Sequence, residues 1–177
     1  MTIYFDMDGV LVKYDRSAYQ GQEPLFTVKG GHYFRKLEPD ERAVRAFQLL
    51  SQREQPLRIL SSLTNIGSIF LEQYADKKAW IAEHLPGFEN EDTFIPAITN
   101  KRNIAEFMLK RKLTINDVLI DDYNPNLDEW RNNGGLAIKY LNGINSADSF
   151  SGPIIDLDMT PEQIVDMLIA INYSLKC

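Results

Sequence analysis

The stretch "IYFDMDGVLV", residues 3–12, decides both the fold and the site of this 177-residue chain. Three residues, Ile3 to Phe5, form a short apolar run that leads directly into Asp6, and a second acid, Asp8, follows two positions later. This pattern predicts a short buried strand whose carboxyl end carries two carboxylates. Gly9 comes next and permits a sharp turn of the chain beside them.

The composition is that of a globular protein without a disulfide framework. Hydrophobic residues make up 44% and charged residues 25% of the chain, and the only cysteine is Cys177. The length favours one domain over residues 1–177. The formal net charge of -6 argues against a nucleic-acid polymer or an anionic membrane as a partner. The first residues enter the predicted strand without an apolar leader, so we expect a cytoplasmic protein.

Strands and helices are predicted to alternate along the chain. After the first strand, strands are expected at 57–60, 93–98, 118–120, 136–140 and 154–155. Helices are expected at 39–54, 67–85, 101–112, around Leu127 and Trp130, and at 161–175. This order predicts an α/β fold, a doubly wound, Rossmann-like parallel sheet flanked by helices.

Apolar residues at helical spacing support two of these helices. In the second helix these are Phe70, Tyr74, Ile81 and Leu85, and in the third they are Ile104, Phe107 and Met108. Trp80 and Trp130 are interpreted as core residues.

Polar side chains follow four of the predicted strands. Asp6 and Asp8 follow the first strand, Ser61-Ser62 the second, Thr99-Asn100-Lys101 the third and Asp121-Asp122 the fourth. In open parallel sheets, ligands bind beyond the carboxyl ends of the strands. We therefore expect these groups to share one crevice.

Four carboxylates in one crevice require a cation. Two like charges 4 Å apart repel by about 4 kcal/mol at an effective dielectric near 20. Oxygen ligands without histidine or cysteine suit Mg²⁺, and a phosphate ester would complete its coordination. Ser61 and Ser62 could donate to the phosphate and Lys101 could neutralise it. Asp6 could attack phosphorus to form an aspartyl-phosphate, and Asp8 could transfer the proton.

These segments resemble the four motifs of the haloacid dehalogenase (HAD) superfamily of phosphotransferases. "DMDGV", "ILSS", "TNK" and "LIDD" occur in the same order, over residues 1 to about 140. Within the superfamily, "DMDGVLV", "YFRKLEP", "KKAWIAEHLPG" and "VLIDDYNPNLDEW" are similar to the 5'(3')-deoxyribonucleotidase group. The resemblance implies Asp6 as nucleophile and Asp8 as acid/base. It also implies Mg²⁺ held by Asp6, the Asp8 carbonyl and Asp122, with Asp121 behind them.

The resemblance further implies a Mg²⁺-dependent phosphomonoesterase that hydrolyses (deoxy)nucleoside monophosphates. In the family, the segment between the first two motifs forms the cap that selects the substrate. Here that insertion spans residues 12–38, which are too few for a helical cap with its own core. Its aromatic residues could stack a base or could pin the loop to the sheet, and they are Tyr14, Tyr19, Phe26, Tyr33 and Phe34. Its charged residues could contact a polar end of the substrate, but solvated surface is the favoured interpretation, and they are Arg16, Lys29, His32 and Arg35.

Two other functions remain open from the sequence. One is a HAD phosphatase of another small phosphate ester. The other is a receiver-like signalling module, which accepts a phosphoryl group without turnover. Receivers place their acid pair first, whereas this chain places it last, and that order favours the enzyme. The oligomeric state is also open, because a partner subunit could cover the crevice that a reduced cap leaves exposed.

Overall fold

Strands and helices alternate through the whole of the computed structural model, which describes residues 1–13, 30–145 and 150–175. The strands are β1 (Thr2–Phe5), β2 (Leu57–Ser62), β3 (Phe94–Ala97), β4 (Asp117–Asp121), β5 (Leu136–Tyr140) and β6 (Ile154–Ile155). The helices are α1 (Glu41–Ser51), α2 (Gly67–His84), α3 (Lys101–Leu109), α4 (Asn124–Asn132) and α5 (Pro161–Ser174), with a 3-10 turn at Phe34–Lys36. Five cap residues singled out above lie outside the described residues: Tyr14, Arg16, Tyr19, Phe26 and Lys29.

The six strands form one sheet in the order β3-β2-β1-β4-β5-β6, and every neighbouring pair is parallel. Phe5 of β1 is in register with Ile59 of β2 and Ile120 of β4. The predicted α/β, Rossmann-like parallel sheet is confirmed. Because β1 is central, its carboxyl end lies between the carboxyl ends of β2 and β4.

Both faces of the sheet are buried. Ile3 and Phe5 belong to one apolar cluster with Phe47 of α1, whereas Tyr4 belongs to a second cluster with Trp130 of α4. Strands covered on both faces read as continuous apolar runs, as β1 does. Trp80 and Trp130 are fully buried, as predicted. Within the described ranges, no helix has the length and apolarity needed to cross a bilayer.

Several element ends differ from the prediction because local hydrogen bonds decide them. Helix α1 begins after Asp40, whose carboxylate accepts from the backbone N–H groups of Arg42 and Ala43, so Pro39 lies before the helix. Helix α3 ends at Leu109 because Lys110 adopts the left-handed conformation (φ 53°).

Two strands are longer than predicted. β2 continues to Ser62 and β4 continues to Asp121, so Ser61, Ser62 and Asp121 are strand residues rather than residues that follow a strand. Their backbone positions are therefore set by the hydrogen-bond ladder of the sheet.

Charged residues share the buried faces of α2 and α3 with the apolar residues that recur at helical spacing. In α2, Phe70 and Tyr74 are partly buried and pack against the core, and Gln73, Asp76 and Lys77 are also buried. In α3, Phe107 is 78% exposed and Met108 is also exposed, whereas the buried residues are Lys101 and Ala105. Apolar periodicity did not predict the burial of Lys77 and Lys101. Both helices turn these charged side chains toward the carboxyl edge of the sheet.

We predict that Asp117 stabilises the fold through the charge of its carboxylate. This buried group accepts two hydrogen bonds from Arg111 (2.6 and 2.9 Å) and two from Thr114 (2.8 and 3.0 Å). Burial alone would raise the pKa of Asp117, but these donors outweigh it and lower that pKa. A lowered pKa in the folded state gives stability that is present above the unfolded pKa and is lost as pH falls through the folded pKa.

Asp117→Asn should therefore reduce the free energy of unfolding by about 1–3 kcal/mol at neutral pH. The difference from the wild type should shrink below about pH 4, in urea denaturation followed by circular dichroism. The control is Asp128→Asn, which removes a half-exposed carboxylate that pairs with Arg131. That change should cost less than about 0.5 kcal/mol. An Asp117→Asn effect that does not vary with pH would show that the charge is not responsible.

Candidate active site

The predicted site residues meet at the carboxyl edge of the sheet. Asp6 directly follows β1, Ser61 lies near the end of β2, and Asp121 is the last residue of β4. Lys101 is the first residue of α3. This edge is where a doubly wound sheet places its ligands.

Lys101 links two of the acids. Its Nζ lies 2.5 Å from Asp6 Oδ1 and 2.7 Å from Asp121 Oδ2, and all three side chains are buried. Burial would lower the pKa of Lys101, but the charges and hydrogen bonds of Asp121 and Asp6 outweigh it and raise that pKa. Lys101 is therefore a permanent cation at the centre of the acids.

Asp6 has a second donor besides Lys101. Its Oδ1 accepts from the backbone N–H of Met7 at 2.7 Å, so both donors use the same oxygen. Burial raises the pKa of Asp6 well above its ordinary value, and the nearby charges of Asp121, Asp8 and Asp122 add to this, against the opposing effect of Lys101. Lys101 therefore only partly offsets the burial of Asp6 and the charges of its acidic neighbours.

Asp122 lies beside this group and is held by amides. Its Oδ2 accepts from Asn142 Nδ2 (2.8 Å) and Asn145 Nδ2 (2.6 Å), two residues that the sequence interpretation missed. Burial, followed by the charge of Asp121, raises the pKa of Asp122 to about 6. The amide hydrogen bonds act against this shift but do not cancel it.

These acids fit a hard divalent cation. Asp6, Asp121 and Asp122 each offer one carboxylate oxygen, and the three oxygens lie within 4.8 Å of one another. All three side chains are buried, and Lys101 pairs with Asp6 and Asp121. The pKa values of Asp6 and Asp122 stay raised, so the nearby cations do not fully offset the buried negative charge. Oxygen donors that carry excess buried negative charge match the preferences of Mg²⁺.

Asp8 and Ser61 are joined by a residue that the sequence analysis did not single out, Lys77 of α2. Lys77 Nζ lies 2.5 Å from Asp8 Oδ2, 2.8 Å from Ser61 Oγ and 3.1 Å from the carbonyl oxygen of Ser62. Its side chain is fully buried. One signal could have found it, because Gln73, Lys77 and Trp80 recur at helical spacing and Trp80 was expected in the core.

Ser61 and Ser62 occupy different environments. Ser61 is fully buried with its hydroxyl on Lys77, whereas Ser62 is exposed and only its carbonyl oxygen contacts Lys77. Alternation along β2 explains this, since successive side chains point to opposite faces. The geometry thus brings Ser61, and not the side chain of Ser62, to Asp8 and Lys77.

Residues 30–38, which end the predicted cap segment, cover Lys77. The buried ring of Phe34 lies 4.2 Å from Lys77 Nζ, and Tyr33 meets Phe34 edge-on at 5.0 Å between ring centroids. Arg35 is exposed, as expected. His32 is also exposed, but its Nδ1 lies 2.9 Å from Asp76 Oδ1, so it is tied to α2.

The raised pKa of Asp122 predicts how a cation should affect stability. An acid with a raised folded pKa destabilises the fold as pH rises from its unfolded pKa, near 4, through its folded pKa, about 6. For a shift of this size the loss is on the order of 2–3 kcal/mol. A cation that binds the ionised carboxylate should remove this loss.

We therefore expect Mg²⁺ to raise the melting temperature more at about pH 7.5 than at about pH 5. Thermal denaturation with Mg²⁺ and with chelator at both pH values measures this. In Asp122→Asn the pH dependence should be smaller. An equal Mg²⁺ shift at both pH values would mean that the cation does not bind these carboxylates.

Comparison with solved structures finds the same fold in several hydrolases. No family model matches the chain, and no curated protein matches it significantly by sequence. A D,D-heptose 1,7-bisphosphate phosphatase from B. bronchiseptica, complexed with magnesium and phosphate, superposes with a TM-score of 0.64 at 10% identity, over 96% of this chain and 99% of that one.

Two further solved structures agree. A HAD-superfamily hydrolase from Ehrlichia chaffeensis gives a TM-score of 0.58 at 11% identity, over 97% of each chain. A haloacid dehalogenase-like family hydrolase from Xanthomonas campestris gives 0.60 at 9% identity, over 98% of this chain and 96% of that one. The chain therefore has the fold of these hydrolases over nearly its whole length.

Proposed function

We propose that this chain is a Mg²⁺-dependent phosphomonoesterase in which Asp6 is the nucleophile and Asp8 is the general acid/base. The observation that carries the proposal is the convergence of Asp6 and Asp8 with Ser61, Lys101 and the Asp121-Asp122 pair at one edge of the sheet. The fold of the solved HAD hydrolases supports it, and one of them was crystallised with magnesium and phosphate.

The residues that would hold Mg²⁺ are Asp6, the carbonyl of Asp8 and Asp122, with Asp121 behind them. When bound there, the cation supplies positive charge that neutralises the carboxylates and the phosphoryl group. Lys101 contacts Asp6 and Asp121 directly, and it keeps Asp6 close to the phosphoryl group.

The first half-reaction transfers the phosphoryl group to Asp6. Lys101 and Met7 both hold Oδ1, so Oδ2 of Asp6 is the oxygen that attacks phosphorus. The new bond joins Asp6 to phosphorus, the bond from phosphorus to the ester oxygen breaks, and Asp8 gives its proton to the departing alcohol.

The second half-reaction restores the enzyme. A water oxygen attacks phosphorus, its proton passes to Asp8, and the bond from phosphorus to Asp6 breaks to release phosphate. Asp8 Oδ1 suits this exchange, because it is buried and has no hydrogen-bond partner among the described residues, while Oδ2 is held by Lys77.

Lys77 and Ser61 would bind the phosphoryl oxygens of the substrate. The Lys77 ammonium is already 2.8 Å from the Ser61 hydroxyl and contacts Asp8. Substrate oxygens would compete with Asp8 for this ammonium and would so release Asp8 Oδ2 from Lys77.

We further propose a nucleoside monophosphate, preferably a deoxynucleotide, as the substrate. The deoxyribonucleotidase-like segments support this, and so does the position of Phe34 over Lys77, with Tyr33 edge-on against Phe34. Aromatic rings that border a phosphate pocket could stack a nucleobase. Another small phosphate ester would use the same catalytic groups with different contacts in the cap.

Phosphate release from a panel of nucleoside monophosphates and generic phosphate esters tests both the phosphatase activity and the nucleotide substrate. The assays run with Mg²⁺ and with chelator. Mg²⁺-dependent release supports the phosphatase, and the ranking of the panel decides between nucleotides and other esters. Formation of a stable phosphoprotein from acetyl phosphate, without release from any ester, would replace this proposal with the receiver-like module.

A further inference from the structure

The loop after β5 reaches the candidate cation site with two amide side chains. Asn142 and Asn145 both donate to Oδ2 of Asp122, at 2.8 and 2.6 Å. The sequence predicted only a polar loop here. Two donors on one oxygen of a buried carboxylate fix the plane of that carboxylate.

The orientation of the Asn142 amide is set at both ends. Its Oδ1 accepts from the backbone N–H groups of Ile144 (3.0 Å) and Asn145 (3.2 Å). Its Nδ2 faces two acceptors, Asp122 Oδ2 and the carbonyl oxygen of Gly9 at 3.0 Å. A flipped amide would place acceptor against acceptor, so only this orientation satisfies every group.

Gly9 leaves the space that this contact requires. A Cβ added to Gly9 would lie 2.4 Å from Asp122 Oδ2 and 2.9 Å from Asn142 Nδ2, and the residue has a φ of +83°. The turn that follows Asp8 therefore packs its backbone directly against the pair formed by Asp122 and Asn142. Movement of the Asp122 carboxylate toward this turn is blocked.

Lys139 of β5 holds the main chain of Asp122. Its buried Nζ donates to the carbonyl oxygen of Asp122 at 2.5 Å and to Asn124 Oδ1 at 2.6 Å. The backbone of Asp122 and its Oδ2 are thus both fixed by groups from β5 and the following loop. Neither Asn142 nor Asn145 donates to Oδ1.

We propose that Asn142 and Asn145 are positioning residues that turn Oδ1 of Asp122 toward the cation and thereby set cation affinity. The inference rests on the proposed function for the presence of a cation at Asp6 and Asp122. Outer partners of a metal-binding carboxylate are typically worth about 10–100-fold in metal affinity. They act on the ligand and not on the reacting atoms, so the chemical step should be nearly preserved once the cation is bound.

Direct cation binding tests this inference without relying on activity. Mn²⁺ binding is measured by electron spin resonance of the free ion, and Mg²⁺ binding by calorimetry. We expect Asn142→Ala and Asn145→Ala each to raise the dissociation constant about 10-fold or more, and the double variant to raise it further. At saturating Mg²⁺, kcat should stay within about threefold of the wild type.

The control is Asn133→Ala, which removes an amide that donates to the carbonyl oxygen of Glu129, at the end of α4. Its cation affinity should equal that of the wild type. Asn145→Ala is the more informative variant, because Asn142 also shapes the loop through its Oδ1. Folded Asn142→Ala and Asn145→Ala variants with unchanged dissociation constants would overturn the positioning role and leave the proposed function standing. A wild-type chain that binds neither ion would overturn both.

Discussion

We expect Asp6→Asn to eliminate Mg²⁺-dependent phosphate release, with a loss in kcat of about 10⁴-fold or more, as is found when a nucleophile is removed. The amide cannot form the bond to phosphorus that the first half-reaction requires. Initial rates with the best substrate of the panel measure this loss. Rapid acid quench with labelled substrate should trap a phosphoprotein in the wild type and none in the variant.

The same substitution should not destabilise the fold. Burial raises the pKa of Asp6, so the ionised carboxylate disfavours the folded state at every pH above the ordinary aspartate pKa. Asparagine removes this charge and still offers Lys101 an oxygen, so the melting temperature should be equal or higher. The control is Asp158→Asn, an exposed position before α5, which should change neither property. An Asp6→Asn variant that keeps a tenth of the activity would falsify the role of Asp6 as nucleophile.

The second large effect is expected for Lys77→Met. Lys77 contacts Asp8 and Ser61 from a fully buried position, so its ammonium is shielded from water and its interactions are strong. Removal of one such charge-stabilising donor typically lowers kcat by about 10²–10³-fold. Methionine fills the space beneath Phe34, so the loss should reflect the missing charge more than a cavity.

The matched control is Lys78→Met, the next residue of α2. Lys78 is partly exposed and its ammonium lies over the Tyr74 ring, away from Asp8 and Ser61. Its kcat/KM should stay within about twofold of the wild type, because solvated charges far from the reacting atoms contribute little. Equal losses in both variants would mean that α2 responds to any substitution and that Lys77 has no particular role.

The fold was predictable because its signals are local. Short apolar runs that end in polar or acidic residues mark the strands, and apolar residues at helical spacing mark the helices between them. The candidate residues Asp6, Lys101 and Asp121 were also predictable, since each sits at or next to the carboxyl end of a predicted strand, where parallel sheets bind ligands.

The residues that the sequence analysis missed do not lie at the carboxyl end of a predicted strand, so that signal could not find them. Lys77 lies in the third turn of a helix, and Asn142 and Asn145 lie in a loop that the sequence marked only as polar. Phe107 and Met108 recur at helical spacing and are nevertheless exposed, for a related reason. Periodicity shows that a helix has a face, but the partner across the interface decides which face is buried.

The sequence by itself determined the order of the elements, the parallel sheet and the acids at its carboxyl edge. These follow from backbone geometry and apolar periods, which act over a few residues. Only the tertiary structure decided that Lys77 joins Asp8 to Ser61 and that two amides from the loop after β5 hold Asp122. Those contacts join residues 16 to 69 positions apart, and they depend on how helices and loops are placed over the sheet. A short hydrogen bond between distant segments exists only when packing brings both partners to within about 3 Å, and no local pattern encodes that distance.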